Sequence, residues 1–580
     1  MTEPLIISDF ESGIADSPHK GIGLLRNVDI EAFTGSVKVR AQLYSLFHTT
    51  LSSTCSGVAA TDVLTLDSGT VPLTATAVKP TTTVAGVTAN TVYFINKISS
   101  STFYLYDTIT NAKNGTATGR IDITNTTSFT IATVDPGTIN HMTVNVLTQV
   151  NFALDSNGRV WYQLNSTSQM YLVLNSVLDN AKIGSAALAG ANGNGMVLFL
   201  NSDKTALYLI VFRDNLVDII NVTIQSNIET PSWTNAWNFG GAVSDTALVT
   251  ASGTNNRHHA IVSSLDTDTI YFTDDRYIGR IRELTVFNPA DTATYSGNNL
   301  ALDTPLNEIL VHLEELNTNL LAAGSTFNRI YPWDRVSNSY NLPLIVPENN
   351  VYRLKNLGNL VYILAGGLGN IYTTQGTYVK HFKKIPEHVT NNSGTLQANP
   401  ISWGGIEIIN GALIFGMSVQ TSGNSGVYKL YPDGRLVIDQ IPTTAGNATA
   451  FIAQNNFYLI GFASGVNAHT SIGGVISRYS AFEGVIQSQF YRVATKTGKG
   501  TLSTLEVVIA QPVSTGNVRI KYRVDTSSSF GNFPNGETSY AADGSTTTFR
   551  SDIGLIDLEN IQVQAEIDGN VELIEIRLLP

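Results

Sequence analysis

The stretch that decides the fold is Leu360–Pro386, LVYILAGGLGNIYTTQGTYVKHFKKIP. It places an apolar segment, Val361–Leu364, before a glycine-rich turn and two further β-prone segments, Ile371–Thr374 and Tyr378–Phe382. Three or four short antiparallel strands of this kind make one blade of a β-propeller. A single blade leaves both faces of its sheet uncovered, so the pattern predicts further copies that bury them.

Comparable units recur along most of the chain. If the first strands of these units are aligned, neighbouring copies are 44 to 63 residues apart, and seven copies at such a period are a repeat signal. The sequence therefore predicts an all-β fold built on a β-propeller of about seven blades. The aligned positions are Phe152, Val197, Ala260, Leu313, Val361, Leu413 and Phe457.

Turn residues and aromatic strands support the repeat. Glycine and short polar residues close tight hairpins because they tolerate a positive φ. Such turns are predicted at Asp155–Gly158, Asn201–Lys204, Asp266–Asp268, Gly366–Gly369 and Asp433–Gly434. An aromatic-rich segment follows each turn, and we expect these segments to be third strands that pack between blades: VWYQL, ALYLIVF, IYFTD, RIYPW, IYTTQ and VYKLY.

Outside the repeat, the sequence divides into further units. We predict an N-terminal segment with the first propeller strands at 1–55, an inserted small β-domain at 56–135, the propeller at 136–485 and a C-terminal β-sandwich at 486–580. Both added units lose the repeat period and carry their own alternation of apolar and polar residues. We treat them as independent modules, so deletion of 56–135 is expected to leave a soluble, folded remainder.

Three local predictions can be compared directly with a structure. Strands within Val37–Phe47 are expected to complete the blade that begins with Phe457–Arg478, because a propeller needs its ring closed. Asn307–Leu321 is the best helix candidate, but its place in the repeat favours strands. Asn517–Val524 should place its valine, isoleucine and tyrosine side chains on one face and its basic side chains on the other.

Composition narrows the classes of function. Charged residues make up 14% of the 580 residues and the formal net charge is −12, which disfavours general binding to nucleic acid. The single cysteine, Cys55, excludes an intrachain disulfide and is interpreted as an inert small residue. No cationic leader and no apolar run of about 20 residues is found, so we expect synthesis in the cytoplasm and no membrane span.

Several motifs resemble those of a known group of proteins. They are Gly13–Pro18 with Arg26–Ile30, then Ile330–Arg335, Gly369–Tyr372 and Lys384–Pro386. Together they resemble propeller-containing virion proteins of tailed bacteriophages, similar to the tail nozzle (tubular) proteins of short-tailed phages. The inserted unit, with its N-T-x-Y-x-I run at Asn90–Ile95, resembles small β-inserts of phage tail proteins. The resemblance implies a structural setting in the tail and carries no catalytic residue.

Residue pairs that could support catalysis or metal binding have structural interpretations. Neighbouring side chains on a strand point to opposite faces, which separates Asp274 from Asp275, Glu314 from Glu315 and His258 from His259. His312 and Glu314 share a face but lack a third ligand at a recognisable spacing. Asp266 and Asp268 could bind calcium, although a polar hairpin turn requires such residues anyway. The glycines at Gly366–Gly369 precede a strand, so they form no phosphate-binding helix terminus.

Eight aromatic residues recur about once per repeat and could form a sugar-stacking surface or a core between blades; we favour the core. They are Trp161, Tyr162, Tyr208, Tyr271, Phe272, Tyr331, Trp333 and Tyr372. No catalytic, cofactor-binding or metal-binding residue is assigned, and no enzyme activity or cofactor is expected.

Two functions remain open from the sequence. The first is a structural virion protein of the tail or head-to-tail region. It would form a homo-oligomeric ring, with a hexamer favoured over a trimer, contact other tail proteins and allow genomic DNA to pass. The second is a tail protein that binds or cleaves glycans of the host surface, which would require exposed aromatics or acids clustered on one propeller face.

Overall fold

Strands account for nearly all of the regular structure. The protein is described here by a computed structural model, and among the residues that it describes the only helix with defined bounds is Ile109–Asn114. None of the helical residues it describes forms a segment long and apolar enough to span a membrane. The description covers residues 4–580 except 9, 11–12, 15–21, 31–35, 41–42, 49, 85, 146–147, 165–168, 175–179, 182–192, 202–203, 214–216, 225–227, 230–232, 238–258, 266–268, 284–294, 387–388, 390–400, 420–423, 442–446, 455–456, 464, 469–482, 494–497, 525–528 and 536–538.

Seven antiparallel four-stranded units form the blades of a β-propeller, numbered here 1 to 7 in chain order. From the inner to the outer strand, they are Ile139–Asn145, Val150–Asp155, Val160–Gln163 and Tyr171–Leu174 (blade 1); Gly193–Leu200, Leu207–Arg213, Val217–Asn221 and Trp233–Trp237 (blade 2); Ala260–Val262, Thr269–Asp274, Tyr277–Glu283 and Tyr295–Asp303 (blade 3); Leu310–Leu316, Asn319–Gly324, Arg329–Trp333 and Leu344–Ile345 (blade 4); Val351–Leu357, Leu360–Ala365, Asn370–Thr374 and Val379–Lys384 (blade 5); Ser402–Ile409, Ala412–Ser418, Gly426–Leu430 and Leu436–Gln440 (blade 6); Ala450–Gln454, Phe457–Phe462, Gly465–Ala468 and Tyr44–Ser45 (blade 7).

The ring of blades is closed. Each inner strand contacts the inner strand of the next blade, and the inner strand of blade 7 contacts that of blade 1. Hydrophobic clusters fill the wedges between neighbouring blades, for example between blades 2 and 3, 3 and 4, 4 and 5, and 6 and 7. Each blade therefore buries both faces of its sheet against its neighbours, which is the physical basis of a propeller. The predicted all-β propeller is confirmed.

Blade 7 joins the two ends of the propeller. Its outer strand, Tyr44–Ser45, pairs antiparallel with Asn467 and Ala468, so this part of the closure prediction is confirmed. The prediction was wrong for Val37–Val39, which pairs with Val28–Asp29 and with Glu572–Leu579 outside the propeller. Val37 belongs to another core, because its side chain is fully buried in a cluster with the C-terminal strands.

The inserted unit is a small closed barrel. Its six strands are Ser52–Val58, Val63–Leu66, Ala77–Pro80, Thr91–Lys97, Thr102–Tyr106 and Phe129–Thr133, and pairing of Thr102–Tyr106 with Thr91–Lys97 closes the sheet. The helix Ile109–Asn114 follows the fifth strand, with Thr108 as its N-cap and Gly115 in the left-handed conformation at its C-terminus. Cys55 is buried in the barrel core, and burial raises the pKa of its thiol to about 12.

The barrel does not stand apart from the propeller. Phe94, Tyr106 and Ile109 belong to the same hydrophobic cluster as Tyr162 and Leu172 of blade 1. A strand of two residues that follows blade 1, Asn180–Ala181, also pairs in parallel with Thr91 and Val92 of the barrel. The inserted unit therefore shares a core with the propeller.

Two sheets built from both ends of the chain form a sandwich. The first contains Leu5–Ile7, Val28–Asp29, Val37–Val39, Gly500–Ile509, Thr548–Leu558 and Glu572–Leu579; the second contains Ile22–Arg26, Gly484–Ser488, Tyr491–Arg492, Asn517–Val524, Ser539–Ala541 and Asn560–Ile567. Side chains of both sheets lie in one hydrophobic cluster. In Asn517–Val524, Val518 and Ile520 are buried while Arg519 and Lys521 pair with Glu566, as the alternation predicted.

The sandwich and blade 6 share a continuous sheet. Ile22–Arg26 pairs with Gly484–Ser488 on one side, and Arg26 pairs with Ile438 of the outer strand of blade 6 on the other. The four strands before residue 40 therefore belong to the sandwich, which the prediction of a sandwich at 486–580 did not include. Leu5–Ile7, Ile22–Arg26 and Val37–Val39 each pair with a strand more than 400 positions away along the chain, a separation that no local pattern reveals.

The strand alignment within blades also needs correction. Val361, Leu413 and Phe457 lie on second strands, as does Phe152, whereas Val197, Ala260 and Leu313 lie on inner strands. VWYQL, RIYPW, IYTTQ and VYKLY are third strands as predicted, but ALYLIVF and IYFTD are second strands. Asn307–Leu321 contains the strand Leu310–Leu316 and the start of the next, which confirms the choice of strands over a helix.

Candidate functional site

The central channel of the propeller is the candidate site. Residues of all seven blades line a cavity of about 260 Å³ around the axis. In five blades the pairing between inner and second strand shifts register near the start of the inner strand, which is the signature of a β-bulge. Bulges redirect side chains, and they are frequent beside functional sites. Here they recur at the level where the lining is most polar.

Strand register sorts the lining into two layers. In blades 4, 5 and 6 the inner strand runs into a tight hairpin. The last paired residue of the inner strand is Leu316 in blade 4, Leu357 in blade 5 and Ile409 in blade 6. Two residues before these positions lie Glu314, Lys355 and Glu407. Together with the equivalent residues of the other blades they form one layer of the lining, called here the Glu/Lys layer. From blade 1 to blade 7 it consists of Thr143, Val197, Ile261, Glu314, Lys355, Glu407 and Phe451. Four residues earlier lies the His/Arg layer: His141, Gly195, His259, His312, Arg353, Gly405 and Thr449.

Three histidines of the His/Arg layer lie close together. The rings of His259 and His312 stack with their centroids 3.7 Å apart, and the centroid of His141 is 6.0 Å from that of His259. His141 Nδ1 accepts a hydrogen bond from the Met196 amide (2.9 Å), and His259 Nδ1 accepts one from the Leu313 amide (3.1 Å). Both bonds cross between blades, so these histidines also tie the ring together.

Burial keeps the imidazoles of His259 and His312 neutral. Desolvation lowers the pKa of His259 and of His312 well below its ordinary value, and neighbouring His141, Arg353 and Lys355 lower it further. An imidazole whose Nδ1 accepts a hydrogen bond carries its proton on Nε2 when neutral. His141 and His259 therefore present Nε2–H groups, while His312 Nδ1 lies buried with no hydrogen-bond partner among the described residues.

The Glu/Lys layer holds a row of alternating charges. Lys355 Nζ lies 2.7 Å from Glu407 Oε1, and Glu314 is on the opposite neighbouring blade. Desolvation raises the pKa of Glu314 to about 7; Lys355 opposes this shift and Glu407 adds to it. Burial disfavours the charged form of Lys355, but Glu407 and Glu314 outweigh this and raise its pKa. Glu314 can therefore gain or lose a proton near neutral pH.

The channel offers hydrogen-bond donors more than metal ligands. No group of three or more His, Cys, Asp or Glu side chains among the described residues is arranged to hold a metal ion. His312 and Glu314 do share the channel-facing side of their strand, as predicted, and both line the cavity. The sequence missed the other lining charges, Arg353, Lys355 and Glu407, because the inner strands of blades 5 and 6 were not recognised.

The remaining acidic candidates lie in different surroundings. Glu315 faces away from the channel and contacts Arg335 (2.9 Å) and Ser263 (3.1 Å), which confirms its separation from Glu314. Asp274 is buried at the end of its strand and Asp275 follows in a turn with φ 55°. His258, Asp266 and Asp268 lie outside the described residues. Gly366 and Gly369 have positive φ in a turn between two strands, as predicted.

The eight recurrent aromatics are all buried, so the prediction of a core between blades is confirmed. Tyr208 and Phe272 share the cluster between blades 2 and 3, while Tyr271 and Trp333 pack edge to face across blades 3 and 4 with centroids 5.8 Å apart. These rings stabilise the packing between blades of the propeller and present no sugar-stacking surface.

Two recurrent acids, buried Glu308 and half-buried Glu348, also stabilise the blades. Glu308 accepts a hydrogen bond from the Tyr331 hydroxyl (2.7 Å) in blade 4, and Glu348 accepts one from the Tyr372 hydroxyl (2.9 Å) at the equivalent place in blade 5. A glycine at the end of the second strand in blade 4, and directly after it in blade 5, leaves room for the carboxylate, since a Cβ on Gly324 or on Gly366 would collide with it. Aligning the repeats on this acid, glycine and tyrosine would have found the pattern in the sequence.

The chain was also compared with known families, curated proteins and solved structures. No family model and no curated protein matches the chain. Similar solved structures include the β-propeller domain of Cps50 (Swd1) from Myceliophteria thermophila, at 10% identity over 58% of this chain and 96% of that one, with a TM-score of 0.38. The WD40 β-propeller domain of Doa1 (11%, 58% and 93%, TM-score 0.37) and YCF48 bound to D1 peptide (8%, 58% and 91%, TM-score 0.37) are also similar. The chain is a β-propeller protein.

Proposed function

We propose that this protein is a non-enzymatic structural component of a phage-like particle, located in the tail or head-to-tail region as a homo-oligomeric ring. The single observation that carries the proposal is that both chain ends form one sandwich whose sheet continues into blade 6. The barrel shares a core with blades 1 and 2, so all three modules are locked together. A protein that holds its position in a particle under load needs such locked modules.

The motifs that resemble phage proteins lie at the joints between modules. Gly13 has φ 74°, and a Cβ there would come within 2.8 Å of the Leu436 amide nitrogen in blade 6; the Ile14 amide donates to the Leu436 carbonyl (2.8 Å). The backbone amide of Asn27 donates a hydrogen bond to the Ile438 carbonyl (3.0 Å), and its side-chain Oδ1 accepts one from the Ile441 amide (2.7 Å). These residues fasten the N-terminal segment to the propeller.

The mid-propeller motif has a similar role. Within Ile330–Arg335, Tyr331 and Trp333 are buried between blades, and Arg335 reaches back to Glu315 of the inner strand of the same blade. Glu315 in turn accepts hydrogen bonds from Ser263 and Ser264 of blade 3. The motif thus ties two blades together, which supports an architectural role for the residues that carry the resemblance.

A ring of several copies is part of the proposal. Side chains fill the propeller's own channel to a cavity of about 260 Å³, too narrow for duplex DNA, so a path for the genome would run between copies. A net charge of −12 would keep DNA from adhering to such a lumen. We propose six copies around the tail axis, with three as the alternative, in contact with other tail proteins of a virion assembled in the host cytoplasm.

The alternative function, binding or cleavage of host glycans, has less support. It would need exposed aromatics or acids on one propeller face, and the eight recurrent aromatics are buried instead. The recurrent acids Glu308 and Glu348 are engaged by tyrosine hydroxyls and backbone amides. No described cluster therefore favours this function over the structural one.

Quantitative mass spectrometry of purified particles tests the proposal. The expected result is a fixed number of copies per particle, a multiple of three, which survives high-salt washing. Light scattering on the purified chain supplies the oligomeric state independently. Absence from washed particles, or release of sugars from host glycans that is lost on changing a single acid, would contradict the proposal.

A further inference from the structure

We propose that the His/Arg layer of the central channel binds a small oxyanion, a phosphate or a carboxylate. The inference does not depend on the proposed function, since it rests only on the lining of the cavity. It concerns the part of the channel that lies beside the Glu/Lys layer and that contains His141, His259, His312 and Arg353.

The composition of this layer selects for anions. Its seven residues contribute three imidazoles, one guanidinium, one hydroxyl and two glycines, and none of them carries a carboxylate. Convergent N–H and O–H donors with a nearby fixed positive charge are the groups that recognise phosphate and carboxylate. Gly405 allows blade 6 to approach blade 7 closely, since a Cβ there would lie 2.7 Å from the Thr449 carbonyl oxygen.

An unpartnered buried atom points to a missing ligand. His312 is 6% exposed, lines the cavity, and its Nδ1 has no hydrogen-bond partner among the described residues. A buried polar atom without a partner is costly, so such atoms in folded proteins usually meet a ligand or an ordered water. In the tautomer with a proton on Nδ1, His312 would donate to an oxyanion oxygen beside the Nε2–H groups of His141 and His259.

The surrounding charges favour one charged ligand of limited size. Arg353 lies in the layer itself, and Lys355 stands two residues along the same strand, where it pairs with Glu407. Arg353 opposes the entry of a metal ion into the His/Arg layer, while the carboxylates of the cavity, Glu314 and Glu407, lie in the Glu/Lys layer beside Lys355. A cavity of about 260 Å³ is slightly below the usual range for pockets that hold drug-sized ligands, so it suits phosphate or a dicarboxylate of about three carbons with a few waters.

Isothermal titration of the full-length chain at constant ionic strength tests the proposal, with inorganic phosphate and malonate as separate probes. We expect saturable binding of at least one probe at one site per chain. Arg353→Gln and His312→Leu should each weaken it about tenfold or more, since each removes a hydrogen bond that involves a charged partner. Arg329→Gln, an exposed arginine on the third strand of blade 4, is the matched control and should bind as the wild type does.

The two probes separate the sources of the oxyanion, because preference for phosphate indicates a phosphoryl group and preference for malonate indicates a carboxylate. Selenate soaked into crystals of the wild-type protein gives a second readout that needs no variant: an anomalous peak is expected beside His312 and Arg353. The proposal is overturned if neither probe binds saturably, if Arg353→Gln binds as tightly as wild type, or if the anomalous peak lies outside the channel.

Discussion

The stacked histidines of the channel should make stability depend on pH. Burial lowers the pKa of His259 and of His312. Below about pH 6.5 these two histidines therefore bind protons in the unfolded chain and remain neutral in the folded chain. Stability contributed by these neutral histidines is therefore lost as the pH falls. Glu314 has the opposite effect on the pH dependence. Its pKa is raised to about 7 in the folded chain, so the folded chain is stabilised while this carboxyl is protonated, and that stability is lost as the pH rises through 7.

Urea unfolding between pH 7.5 and 5.5 measures the two effects separately. In His312→Leu the free energy of unfolding should fall less steeply on acidification than in the wild type, by up to about 1.4 kcal/mol per pH unit. In Glu314→Gln it should fall more steeply, because the compensating proton is gone. The remaining channel groups, His141, His259, Arg353, Lys355 and Glu407, are common to all three proteins. Parallel curves for all three would contradict this assignment.

The tyrosines bound to the two recurrent acids should contribute similarly in neighbouring blades. Tyr331→Phe leaves Glu308 without a hydroxyl donor, and Tyr372→Phe does the same to Glu348. Each change should reduce the free energy of unfolding by about 1.5–3 kcal/mol, the typical cost of losing a hydrogen bond to a charged group. Tyr378→Phe, at an exposed position, is the control and should unfold as the wild type does. An unequal loss at the two sites would argue against a repeated role.

At the scale of elements, the strands that lie in apolar surroundings could be predicted from the sequence, whereas the strands that line the polar channel could not. Second and third strands such as Leu360–Ala365 and Asn370–Thr374 are buried along their length, so their apolar runs and glycine turns are visible. The inner strand Val351–Leu357 faces the channel with Arg353 and Lys355, which breaks the expected pattern. This is why the channel charges were missed although His312 and Glu314 were noticed.

The same reasoning explains the errors at the chain ends. Leu5–Ile7 and Val37–Val39 are short, and they are stabilised by pairing with Glu572–Leu579 near the C-terminus. Short strands form only when distant partners supply hydrogen bonds and burial, and sequence patterns contain no information on which distant partner that is. The existence of a C-terminal sandwich was predictable from its own alternation, whereas its N-terminal strands were not.

Deletion of the barrel should leave a folded but weakened propeller. Leu51 and Thr133 are joined by mutual hydrogen bonds, the Thr133 amide to the Leu51 carbonyl (2.9 Å) and the Leu51 amide to Thr133 Oγ1 (2.9 Å), so a short linker between these two residues can replace 52–132. The deletion removes Lys113, whose Nζ lies 2.6 Å from buried Glu229 Oε1, and uncovers part of a shared core. We expect a soluble β-rich chain with a lower urea midpoint.

Circular dichroism and urea titration of the deletion variant distinguish the outcomes. A midpoint equal to that of the full chain would show that the contact between barrel and blades 1 and 2 does not stabilise the propeller. Aggregation would show that the propeller requires the barrel in order to fold. Lys113→Met in the full chain is the smaller matched change, and it should lower the midpoint in the same direction, because it leaves Glu229 buried without its cation.

At the scale of the whole molecule, one ion pair holds several modules together. Arg40, which precedes the outer strand of blade 7, contacts Asp439 of blade 6 and lies 3.2 Å from Asp29 of the sandwich, while Tyr458 of blade 7 also donates to Asp439. Burial opposes the charge on Arg40, but these two aspartates outweigh it and raise its pKa. The guanidinium therefore remains charged throughout the usable pH range.

Arg40→Met should leave Asp439 buried without its cation. Removing one partner of a buried ion pair typically costs about 3–5 kcal/mol, so a large loss of unfolding free energy is expected. Arg435→Met, which breaks an exposed pair with Asp433, is the matched control and should cost less than about 1 kcal/mol. Chemical denaturation of both variants provides the comparison, and equal costs would show that the Arg40 pair does not hold the modules together.

The most direct measurement of the proposed role is a cryo-EM reconstruction of purified particles. We predict density for a seven-bladed propeller with its attached barrel and sandwich, repeated as a ring around the tail axis with six copies or, in the alternative, three. The joints at Gly13, Asn27 and Arg40 should be intact in every copy. A complete tail map without this propeller would contradict the account.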